Sequence, residues 1–159
     1  MFQERDQGFY SKMGIKGKCH VKLFGADGEL KEERIILNTV TELADAHVAD
    51  QLETTPTDAA TGYMAIGTSS GITSTGVGLA SSLDRNALTS TTQGAGAADN
   101  DIIFVGDWAA ADGTGAITEA GILVGDNNTT LQFYASFSVI NKGAADTLQI
   151  TWTVTFGAS

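Results

Sequence analysis

Residues 116–157 read AITEAGILVGDNNTTLQFYASFSVINKGAADTLQITWTVTFG. Its end is decisive: in 147–156, TLQITWTVTF, Leu148, Ile150, Trp152, Val154 and Phe156 alternate with Thr147, Gln149, Thr151, Thr153 and Thr155. Period 2 puts the first set on one face of a β-strand and the threonine-rich set on the other. Strands over 131–140 (LQFYASFSVI) and 116–124 precede it, with turns at Asp126-Asn127-Asn128 and Lys142-Gly143. Turns this short join antiparallel neighbours, since parallel strands need a long crossover.

The same grammar runs upstream. Residues 17–24, GKCHVKLF, alternate Cys19, Val21 and Leu23 with Lys18, His20 and Lys22. Asp27-Gly28 is a hairpin signal, and 29–37 is the return strand. Thr39-Val40-Thr41-Glu42 fits a capping box, and Val40, Leu43, Ala44, His47, Val48 and Leu52 follow at helical spacing, so one amphipathic helix is expected over about 40–53. Pro56 stops it. Residues 62–67, GYMAIG, form a short buried strand, 68–82 and 89–99 are loops, and Leu83 to Leu88 is a short strand or turn. Residues 101–109 are a strand in which Gly106 suggests a bulge. The expectation is a mainly β chain: an antiparallel β-sandwich, jelly-roll-like, with seven or eight strands and one helix.

At 159 residues there is room for a single domain, drawn as 17–159 after an extended N-terminal arm, 1–16. A chain of this size buries roughly 70% of its unfolded surface, enough for one core. Net charge is −10, which argues against nucleic acid, because phosphate binding needs a basic face. The charge is unevenly spread. Residues 1–22 hold Arg5, Lys12, Lys16, Lys18 and Lys22 against Glu4 and Asp6, whereas residues 35–159 hold Arg85 and Lys142 against thirteen acids. A basic arm on an acidic body reads either as a solvated tail or as an arm that docks on an acidic neighbouring subunit, in the latter case with Phe2, Phe9 and Tyr10 as anchors and Arg5, Lys12 and Lys16 as its charges. The lone Cys19, in an alternating run, is expected to be a buried thiol in a chain that does not rely on disulfides, which fits intracellular assembly. The first 25 residues lack a continuous apolar segment, so no secretory leader is expected, and no run reaches the ~20 apolar residues of a membrane helix.

Catalytic chemistry has little to stand on. His20 falls on the polar face of a strand and His47 on the apolar side of the helix, without metal-ligand spacing around either. Gly67-Thr68-Ser69-Ser70-Gly71 has one residue too many between its glycines for a nucleophile elbow, and no P-loop is present. Asp99-Asn100-Asp101 and Asp126-Asn127-Asn128 read as turn chemistry rather than cation loops. Glu119, an acid inside a strand, reads as a hydrogen-bonded structural carboxylate. No cofactor, no metal and no enzymatic activity are expected.

Two segments carry a resemblance. The front has two short strands around Asp27-Gly28, then Asn38-Thr39-Val40-Thr41 entering a helix, then Gly62-Tyr63-Met64-Ala65-Ile66-Gly67-Thr68. The back has Ile117-Thr118-Glu119-Ala120-Gly121-Ile122, Phe133 to Phe137, Lys142-Gly143 and LQITWTV over 148–154. This order resembles small virion structural proteins of tailed bacteriophages, some of them head decoration or cement proteins. The resemblance implies a jelly-roll-like module that self-associates, commonly as a homotrimer. It would bind the major capsid protein on the outer capsid surface, after assembly in the host cytoplasm. It brings no catalytic residue. A tail, baseplate or fibre-adaptor module is the structural alternative. A carbohydrate-binding β-sandwich is the alternative from another class; it needs exposed aromatics, and Trp152 is expected in the core.

Overall fold

A computed structural model describes residues 14–157. In chain order the elements are β1 (Ile15–Phe24), β2 (Leu30–Leu37), β3 (Thr39–Val40), α1 (Glu42–Gln51), β4 (Tyr63–Gly67) and β5 (Ser82–Ala87). Then come β6 (Ser90–Gln93), a 3-10 turn at Gly96–Ala98, β7 (Asp101–Trp108), β8 (Gly115–Leu123), β9 (Leu131–Lys142) and β10 (Thr147–Phe156). Two five-stranded sheets result, ordered β2-β1-β10-β7-β6 and β3-β9-β8-β4-β5, and all their pairings are antiparallel. The expected β-sandwich is therefore present. Four hairpins stay within one sheet (β1–β2, β4–β5, β6–β7, β8–β9). That pattern establishes an antiparallel sandwich and does not establish the two Greek keys of a jelly roll.

The alternation in β10 works as read. Leu148, Ile150, Trp152 and Val154 are buried and pack with Cys19, Val21 and Leu23 of β1 and Met64, Ile66, Ile117 and Ile122 of the facing sheet. Burial of this apolar area is the main driving force for closing the sandwich. A smaller cluster, Ala65, Leu79, Leu123, Leu131 and Tyr134, lies under the 68–81 loop.

The two sheets are stitched at both sides by strands that change sheets. At one side Leu88 N–H donates to Gly62 O (2.9 Å) and the next amide, Thr89 N–H, to Val105 O (2.8 Å), so the pairing partner switches between consecutive residues. At the other, Asn38 separates β2 from β3. Its N–H donates to Gly17 O (3.0 Å), and its Oδ1 accepts from Trp152 Nε1 (2.8 Å) inside the core. Gly17 is required there, because a Cβ at that position would collide with the Asn38 amide.

Several expectations are corrected. Ile15 and Lys16, assigned to the arm, open β1, because Ile15 pairs with Phe156 and packs against the core. The helix is shorter than 40–53. Thr39 and Val40 pair with Tyr134 and Phe133 instead, so the cap is Thr41, whose Oγ1 accepts from Ala44 N–H (3.3 Å) and donates to Leu131 O (2.6 Å). Part of 89–99 is not loop: Ser90–Gln93 pairs with Ile102–Val105, a strand hidden because Ser-Thr-Thr-Gln offers no apolar alternation. Gly106 makes no bulge. Its register with Ile150 is continuous, and its missing side chain admits Met64 Sδ, 2.8 Å from where a Cβ would sit.

Glu119 is the expected structural carboxylate. It is fully buried and accepts from Tyr134 Oη (3.0 Å), Ser81 N–H (2.9 Å) and Ala80 N–H (3.4 Å), so one side chain clamps the 68–81 loop onto the sheet. Glu119→Ala orphans these donors and is expected to lower the unfolding free energy by about 2–5 kcal/mol in urea titration, with Glu119→Gln milder. Asn38→Ala leaves the Trp152 indole N–H buried and unpaired, with an expected loss of about 1–3 kcal/mol and a shifted tryptophan emission.

Candidate functional site

Two surfaces stand out. The first is the outer face of the β2-β1-β10-β7-β6 sheet at its β2 edge. Strand register lays out rows across it: Leu37–Lys18–Thr153–Ile103–Thr92, and Ile35–His20–Thr151–Val105–Ser90. β1 therefore contributes Lys16, Lys18, His20 and Lys22 as a basic row, β10 the threonines, and β7 Asp101 and Asp107 on the far side. Thr155 Oγ1 donates to Asp101 (2.5 Å) and Gln149 Nε2 to Asp107 (2.9 Å), so β10 secures the two acids. His20 Nε2 lies 2.5 Å from Glu33 Oε1. At the rim, Ile35 and Leu37 are 62% and 79% exposed. A large exposed aliphatic pair on an edge strand is a feature that native proteins ordinarily cover or charge.

The β2 edge is anchored at its start and at its middle. Lys31 Nζ donates to both oxygens of Asp146 (3.0 and 2.9 Å), and Arg34 donates to Ser138 Oγ (2.7 Å) and Val139 O (3.3 Å). The Lys31 ammonium, aided by the Gly143 amide, holds the Asp146 carboxyl below its ordinary range. Nearby, Lys142 is buried and donates to Ala109 O (2.9 Å); burial pushes its ammonium down, opposed by Asp112, Asp146 and Asp84.

The second surface is an apolar groove of about 350 Å³ at the mouth of the sandwich, roofed by α1. Val48 of the helix and Leu52 at its C-cap line it together with Ile102, Val154 and Phe156 of the other sheet. Phe104 and Phe133 form its floor, their rings 6.5 Å apart. The helix buries only Ala44 and His47, and Leu52 is 82% exposed, so its apolar stripe is incompletely covered. One polar line crosses the groove wall. His47 Nδ1 sits 3.6 Å from Asp58 Oδ2, His47 Nε2 lies 3.4 Å from Thr61 Oγ1, and Thr61 donates to Gln132 Oε1 at 2.6 Å. The order hydroxyl–imidazole–carboxylate is that of a nucleophilic triad, but the Thr61 proton is committed to Gln132, so the imidazole is not placed to take it.

The residues singled out from sequence divide as follows. Phe2, Arg5, Phe9, Tyr10 and Lys12 lie outside the described residues. Lys16 lies on the basic row, opposite Thr155. Trp108 and Trp152 are both buried, so neither offers the exposed ring a glycan platform would use. Cys19 is fully buried, and burial pushes its thiol far above the ordinary range, which leaves it inert. Asn127 and Asn128 do turn work: Asn127 Oδ1 accepts from Thr129 N–H (3.0 Å), and Asn128 brackets Leu79 through both its N–H and C=O. Among the described residues no group of three His, Cys, Asp or Glu is placed to hold a metal. Ile35 and Leu37 were missed, although Ile35-Ile36-Leu37 breaks strict alternation and forces apolar residues onto both faces.

No family model, no curated protein and no solved structure matches this chain.

Asp50 provides a pH test of the helix end. Its carboxylate accepts from Thr57 Oγ1 (2.7 Å), Thr57 N–H and Asp58 N–H (both 3.0 Å), which brings its pKa down to about 2. A depressed carboxylate contributes order that is present above the ordinary value of about 3.9 and lost as pH falls through the native one. Protection of the Thr57 and Asp58 amides is expected to fall between about pH 4 and 2 by hydrogen exchange. Asp50→Asn abolishes that dependence.

Proposed function

We propose that this chain is a virion structural protein of a tailed phage, a capsid decoration or cement protein that bridges major capsid subunits. The observation that carries the reading is the β2 edge, where exposed Ile35 and Leu37 stand beside the lysine row of β1 on an otherwise acidic body. Such a surface fits a protein partner that is apolar at its centre and acidic around it. An edge strand also accepts a partner strand by β-augmentation, in which main-chain bonds give affinity and alternate side chains give choice. The acidic faces of a second copy meet the same requirement, which agrees with self-association, a homotrimer in the resemblance. The ordered residue pattern described above supports the phage assignment; the edge supports the class of protein–protein assembly. Repetition over a shell turns weak individual contacts into avid attachment.

The test is add-back to capsids purified without this protein. Wild type is expected to bind saturably and to raise the temperature at which the particles release DNA. Ile35→Glu with Leu37→Glu is expected to remain folded, since both sites are exposed, and to lose at least tenfold in binding. Equal binding by this variant would remove the β2 edge from the mechanism, and no binding by wild type would remove the capsid.

A further inference from the structure

The outer face of the β2-β1-β10-β7-β6 sheet carries its charges in columns. β10 is the central strand and shows Gln149, Thr151, Thr153 and Thr155 outward, neutral side chains that leave the middle of the face uncharged. On one flank β1 shows Lys16, Lys18, His20 and Lys22, offset in part by Glu33 of β2. On the other flank β7 shows Asp101, Ile103, Val105 and Asp107, and neither β7 nor β6 holds a Lys or Arg. Register puts the opposite charges at matching heights: Lys16, Thr155 and Asp101 share one row, and Lys22, Gln149 and Asp107 share another.

We propose that this face pairs with the same face of a second copy, about a two-fold axis running along β10. That axis exchanges the two flanks and keeps the height along the strands. Lys16 and Lys22 of each chain then come over Asp101 and Asp107 of the other, and each pairing occurs twice, as in any isologous contact. Lys18 and His20 come over Ile103 and Val105, whose aliphatic surface a lysine stem covers while its ammonium stays wet. Threonines meet threonines along the axis. A two-fold axis across the strands would instead lay the lysine column on itself, so charge selects between the two arrangements. Sheets packed face to face lie about 10 Å apart with their strands within about 30° of each other, an offset that long lysine side chains can span. Five strands about 4.8 Å apart and eight residues rising about 3.3 Å each give a face of roughly 600 Å² per copy. The pair then buries about 1,200 Å², the lower end of stable interfaces. Exposed Leu37 and Ile35, at the margin, come over Thr92 and Ser90 of the second copy, so pairing also shields them. The inference concerns the free chain and does not rest on the capsid reading; a capsid partner at the β2 edge would take the place of the second copy.

The experiment is sedimentation equilibrium on the full chain at micromolar concentration. Wild type is expected at the mass of two chains. Thr151→Arg with Thr153→Arg sets like charges along the axis and is expected to give single chains, with an unchanged circular dichroism spectrum because both sites face outward. Asp107→Lys alone and Lys22→Asp alone are each expected to weaken association at least tenfold, since each sets like charges opposite one another. Mixed in equal amounts, these two variants are expected to recover wild-type association as dimers of one chain each, because every lysine then faces a carboxylate. Single chains at all concentrations, the mass of three chains, single variants that associate like wild type, or a mixture that fails to associate overturns the proposal.

Discussion

The corner at Gly17, Asn38 and Trp152 is the constraint on which the sandwich depends. Trp152 is buried at the centre of β10, and its indole N–H must find an acceptor there. The acceptor comes from Asn38, the residue at which the chain leaves one sheet for the other, and Gly17 makes the space for it. One hydrogen bond therefore fixes three things together: the depth of the core tryptophan, the point where β2 ends, and the start of β3. From that corner follow the pairing of Thr39 and Val40 with β9, the cap at Thr41, and the direction of α1 over the sandwich mouth.

This placement has consequences for the surfaces. β2, ending at the corner, becomes the outer strand of its sheet, and its Ile35 and Leu37 point away from the core. α1, launched from Thr41, covers the mouth only in part, and the uncovered remainder is the apolar groove. The basic residues of β1 gather in one row because alternation sends Lys16, Lys18, His20 and Lys22 outward while Cys19, Val21 and Leu23 go in. The uneven charge of the sequence thus becomes a basic row next to an apolar edge.

Where one side of a strand is buried and the other wet, the sequence was easy to read. Alternation places β10 to the residue and β7 to within one, whereas β8 and β9 are placed to within two by their β-favouring runs between turn signals, since Glu119–Leu123 and Leu131–Ala135 are buried on both faces. β6 was invisible since an edge strand of Ser, Thr and Gln buries nothing. The helix start was misplaced because Thr39-Val40-Thr41 offers two threonines with cap chemistry, and only tertiary pairing with β9 selects the second. Glu119 was legible as an acid too deep in a strand to be free. The groove was not legible, since it is made by α1 and three strands that are distant in sequence, and the β2 edge showed only as an excess apolar residue in Ile35-Ile36-Leu37. The lysines of β1 were visible as charge, but their common row needed the register.

As a decoration protein, the function proposed above, this sandwich would be a repeated component of a viral shell. The measurement is its copy number relative to the major capsid protein, by quantitative mass spectrometry of purified phage particles. A ratio near one to one, or a simple fraction of it, is the predicted result. A ratio of a few per hundred would place it in the tail or neck, and absence from the particles would contradict the virion reading altogether.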